Sequence, residues 1–208
     1  MTPEDIQALF TRADDSFLFA RWARPIVPII FGVSEESLPV LKGAAEAVVA
    51  LAGHKMAETD PELGANLMIF FLKDWAELLE TPKLDELVPN LAQLTLRLQA
   101  EDANQYRFFR FEPEGAIQAG FVFLRMDASL SDLPADVLAL TQMVQSILVW
   151  SDRAFSDTSP LAKLPGGETV LKPEIAGLIR AAYDPVLPDM SEDPSVAFRL
   201  SARLSVTQ

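Results

Sequence analysis

The sequence predicts a single α+β domain over residues 1–208, with a mixed or antiparallel sheet, a central hairpin and several helices packed against it. Three observations carry this reading. Half of the 208 residues are apolar and 23 % are charged, which is enough for one sizeable core and too apolar for a disordered chain. Two β-rich runs, 105–111 and 116–126, flank the turn Glu112-Pro-Glu-Gly115 and read as a hairpin. The segments run roughly α-β-α-β-α-α-β-β-α-α-α, without the strict alternation of a doubly wound fold.

Taken in order, Thr2-Pro3-Glu4-Asp5 opens a helix. Threonine caps it, proline takes the first position, and two acids meet the positive end of the dipole. Ile6, Leu9, Phe10 and Ala13 continue it at helical spacing. Residues 25–31 are β-branched and contain two prolines, so they predict an edge strand or a frayed one. Ser34 or Ser37 caps a helix that runs to Gly53, and its alanines allow close packing on a sheet. Residues 66–72 are apolar throughout, as in a strand buried on both faces. Helices are expected near 74–80 and 84–100.

The hairpin is apolar on both faces, which places it at the heart of the sheet under covering layers. Asp132-Leu-Pro-Ala-Asp136 opens a helix near 134–150 with Val137, Leu140, Thr141, Val144, Ile147 and Leu148 on one face. Residues 151–170, with Pro165-Gly-Gly167, read as a loop. A helix over 173–183 stops at Asp184-Pro185, and a last one starts from Ser191-Glu-Asp-Pro194.

Composition excludes several functions. There are 17 bases against 30 acids, a net charge of −13, and no cysteine. Such a surface repels nucleic acid and anionic lipid. The longest apolar run is too short to span a bilayer, and the acidic N-terminus is unlike a secretory signal. The chain as it stands is expected in the cytoplasm, unless a leader precedes it. Zinc sites of the usual kind need histidine or cysteine, and His54 is alone. It reads as an exposed residue closing a helix end. No metal or cofactor is expected. Asp127-Ala-Ser-Leu-Ser-Asp132 has oxygens spaced like a calcium loop, but it lacks the glycine and the closing glutamate and reads as a strand exit with a helix cap. Phosphate loops and nucleophile elbows are absent. Aromatics and Arg107, Arg110 and Arg125 concentrate in the hairpin, a pattern suited to core packing or to a stacking platform.

Short motifs spread over 20–190 add a resemblance. Arg21-Trp-Ala-Arg-Pro25, Leu140-Thr-Gln142, Trp150-Ser-Asp152 and Tyr183-Asp-Pro-Val-Leu187 resemble an uncharacterised bacterial family of zincin-like domains. The family's fold, and a groove beside its metal helix, are what this implies. Here that helix has no histidine, and Leu138 and Ala139 stand where the family has glutamates. The resemblance is thus to a degenerate form without metal-dependent hydrolysis. It implies a ligand-binding groove of Thr141, Gln142, Trp150, Ser151, Asp152 and Tyr183, limited to hydrogen bonding. The expectation is a non-catalytic binding or interaction protein whose partner is a protein or a small molecule. The alternative is a metal-independent hydrolase with two carboxyls roughly 5–9 Å apart across a cleft. A homodimer is a third expectation.

Overall fold

A computed structural model describes residues 1–206. The elements, in order, are α1 (Pro3–Phe10), β1 (Phe19–Ala20), β2 (Pro28–Phe31), α2 (Leu38–Leu51), β3 (Leu67–Leu72), α3 (Glu77–Glu80), α4 (Leu84–Leu87), α5 (Leu91–Ala100), β4 (Gln105–Phe111), β5 (Ile117–Arg125), α6 (Ala128–Ser131), α7 (Ala135–Ser146), β6 (Leu161–Lys163), β7 (Thr169–Leu171), α8 (Pro173–Ala182), β8 (Met190–Ser191) and α9 (Val196–Val206). They form one α+β domain. Its main sheet has the order β2-β3-β5-β4. β2, β3 and β5 run parallel, and β4 pairs with β5 in the antiparallel sense.

Alternation along the strands divides the apolar residues between two cores. Leu67 and Ile69 of β3, with Val122 and Leu124 of β5, face a large core shared with α1, α2, α7, α8 and α9. Phe70, Leu72, Ala119, Phe121 and Phe123 face a smaller core covered by α3, α4 and α5. β5 is buried on both faces, as its unbroken apolar run requires. β4 is not. It is an edge strand, half-buried along most of its length, so the hairpin sits at one side of the sheet and only its second strand is central. β2 occupies the other edge, where its prolines are tolerated. Gly32 follows it at φ +78°, and a Cβ there would overlap the Phe71 carbonyl, so glycine is required by both conformation and space.

Local chemistry explains where elements start and stop. Thr2 and Asp5 form the capping box at α1, but the helix ends at Phe10, short of Ala13. The Ser37 side chain makes no cap bond at the start of α2; its hydroxyl meets Ser34 instead. The helix expected over 84–100 is two helices, because Pro89 interrupts it and Asn90 turns left-handed at φ 56°. α7 stops at Ser146, since Leu148 bridges to Arg21 and Val149 donates its N–H to Ala20 O. Of its expected face, Val144, Ile147 and Leu148 are buried, while Val137, Leu140 and Thr141 are half-buried; Leu138, Ala139, Gln142, Met143 and Ser146 widen the buried side. Part of the loop over 151–170 is the small hairpin β6–β7, turning at Gly167. Asp127 caps α6 through the Leu130 N–H at 2.9 Å, as the strand-exit reading of that segment requires.

Candidate functional site

A cleft with a volume of about 830 Å³ lies along β4, within the size range of ligand sites. Five successive residues, 105–109, border it. Successive side chains of a strand point to opposite faces, so a cleft touching all five runs along the strand's outer edge. The far wall is the segment 149–156, with residues 12–14 closing one end.

The wall is firmly held. Trp150 stacks on Phe10 at 5.3 Å between ring centres and is met edge-on by Phe155 at 5.1 Å. Its indole donates to Val144 O at 2.8 Å. Ser151 donates its N–H to Leu9 O at 2.8 Å. Asp152 accepts from the Ala13 N–H at 3.0 Å, and Arg153 donates to Ala13 O at 3.0 Å. These bonds strap the segment to the end of α1 and the turn after it.

Arg107 faces this wall from β4. Its Nη2 donates to Gln142 Oε1 and, at 3.3 Å, to Gln105 Oε1. Its Nε is sealed from solvent without a hydrogen-bond partner. Neither Nη1 nor any other atom of the group meets a carboxylate among the described residues. Burial pushes its pKa down to about 10, because a desolvated guanidinium without an anion is less stable than one in water. The other cleft charges are better matched. Asp14 accepts from the Ser16 N–H at 3.0 Å and from its hydroxyl at 2.6 Å, which lowers its pKa and keeps it ionised.

The predicted site residues separate into groups. Trp150, Ser151 and Asp152 border the cleft. Gln142 is 1 % exposed and supports Arg107 from beneath the sheet. Thr141 turns its hydroxyl back to Val137 O at 2.7 Å. Tyr183 belongs to a different neighbourhood: its hydroxyl donates to Ile147 O at 2.8 Å and accepts the Trp22 N–H at 3.4 Å. The Arg21 guanidinium lies 5.4 Å above its ring, and burial raises its pKa. Arg12, Arg107, Phe109, Gln145 and Phe155 join the cleft without having been in the predicted set. The arginine-rich aromatic pattern of the hairpin was the signal for two of them.

His54 is half-buried rather than exposed. Its Nε2 lies 2.8 Å from Arg24 O and its ring 5.1 Å from the Tyr183 ring. Among the described residues no group of three or more His, Cys, Asp or Glu side chains could hold a metal ion, and no helix is long and apolar enough to cross a membrane. Comparison with known proteins finds no family model, no curated relative and no solved structure that matches this chain.

Proposed function

We propose that the protein is a non-catalytic binding protein whose ligand occupies the cleft along β4 and is held there by a negatively charged group. One observation carries this reading: Arg107 borders the cleft along β4, partly desolvated, with no anion beside it and Nη1 free of any protein acceptor among the described residues. In a chain with 30 acids and 17 bases, a buried guanidinium left without a carboxylate favours an anion from the ligand. A guanidinium recognises carboxylate or phosphate through paired donors. Phe109, Trp150 and Phe155 supply apolar surface around it. A hydrolase working with two carboxyls needs one of them held protonated, and Ser16 biases Asp14 in the opposite direction. The zincin-like resemblance extends the same proposal. The helix that bears zinc ligands in that family here offers Gln142 to Arg107 and Gln145 to the cleft.

Titration with benzoate and phenyl phosphate, followed by amide NMR shifts, tests the reading. Shifts are expected over 105–109 and 149–156. Arg107→Gln is expected to weaken binding about tenfold or more, the loss of a charge-assisted hydrogen bond. Shifts confined to other surfaces, or equal affinity in Arg107→Gln, would contradict it.

A further inference from the structure

β4 is the last strand of the sheet, with β5 on one side and no strand on the other. Its ladder alternates. Arg125 donates its N–H to Asn104 O at 2.8 Å, toward the β4 side. Gly120, which lies opposite Phe109, sends its N–H the other way, to Asn66 O at 2.8 Å. In an antiparallel pair, residues facing each other turn their main-chain groups toward one another or away together. The N–H and C=O groups of Gln105, Arg107 and Phe109 therefore point out of the sheet. They meet no partner among the described residues, and they run along the cleft.

A row of unpaired donors and acceptors at every second residue is a template for another extended chain. A small organic acid would satisfy Arg107 and leave that row bare. A second copy of this protein would bring its own β4 already walled by its own 149–156 segment, so two recessed edges would have to meet. A slender single strand suits the space between edge and wall.

Resting on the reading of the cleft as a binding site, we propose that its ligand is an extended peptide segment bearing a carboxylate. The peptide main chain pairs with Gln105, Arg107 and Phe109 as a fifth strand of the sheet, and its carboxylate meets Arg107.

The test is selection of random hexapeptides on the full chain, in parallel with Arg107→Gln, followed by amide hydrogen exchange of the protein with the selected peptides. Enrichment of peptides with an acidic residue is expected on the native chain alone. Bound peptide is expected to slow exchange at the Gln105, Arg107 and Phe109 amides. Replacing the peptide's acid by its amide should weaken binding about tenfold or more. Gln105→Pro removes one outward donor, together with the side-chain acceptor of Arg107 Nη2, without touching the β4–β5 ladder. It should leave thermal melting unchanged and weaken the peptide about fivefold. Peptides that bind without protecting these three amides would overturn the proposal. So would amides already protected in a peptide-free dimer, which would make a second copy the occupant. If no peptide is enriched but benzoate still shifts 105–109, the strand proposal falls and the binding cleft stands. If neither binds, both fall.

Discussion

A side chain's chemistry here depends on what surrounds it more than on its type. His54 has an ordinary pKa near 6.5, and burial against Tyr183 and Arg24 lowers it, with Arg21 and Lys55 pushing the same way. Its hydrogen bond to Arg24 O and the charge of Asp189 oppose the shift without reversing it. The folded protein therefore resists protonation at a pH where the unfolded chain accepts it. Stability from this residue is complete above the unfolded pKa and is lost as the pH falls through 6.5 toward the folded value. Melting temperature should drop between about pH 7 and pH 5, and His54→Gln should flatten that slope. Identical slopes in both proteins would exclude His54 as the cause. Asn66, completely buried, makes the complementary case. Its amide accepts from the Val27 N–H at 2.7 Å and donates to Pro25 O and Asp60 at 2.9 and 3.0 Å. A polar side chain is thus built into the start of the sheet because every one of these bonds is made.

At the scale of elements, burial separates the two strands of one hairpin. Phe123 of β5 is 0 % exposed, whereas Phe109 of β4 is half-buried at the cleft. Phe123→Ala should cost about 3–5 kcal/mol in urea unfolding, as for a fully packed ring. Phe109→Ala should cost clearly less. Equal losses would mean that both strands are central. Much of this architecture was legible in the sequence. The α1 cap, the edge position of β2, the β4–β5 turn and the start of α8 follow from local chemistry at Thr2, Pro28, Gly115 and Pro173. Other features depend on partners far along the chain. β1 and β8 are two residues each and exist only as a pair. The end of α7 is set by Arg21 and Ala20. For the cleft, Trp150, Ser151 and Asp152 were within reach of short motifs, while Arg107 gained meaning only once β4 proved to be an edge with no carboxylate opposite.

At the scale of the whole molecule, a net charge of −13 opposes compaction, since like charges are closer in the folded state than in the unfolded one. Ion pairs such as Arg21–Asp189 at 2.8 Å and Arg125–Asp102 at 2.7 Å relieve this only locally. Raising ionic strength from about 0.01 M to about 0.15 M shortens the screening length from about 30 Å to about 8 Å. Melting temperature should therefore rise over that range. A fall would show that the ion pairs outweigh the general repulsion.

The pairing of β1 with β8, and of α1 with α9 over the larger core, also has a consequence in time. Ile6, Phe10 and Phe19 are fully buried, yet part of what covers them lies nearly the whole chain length away. During synthesis, at about 5–20 residues per second, the opening helix leaves the ribosome long before its partners exist. Residues 149–153 cover part of the segment over 3–20, and the rest waits until 190–206 have been made. Closure of the molecule is then a late, long-range step, which slows folding.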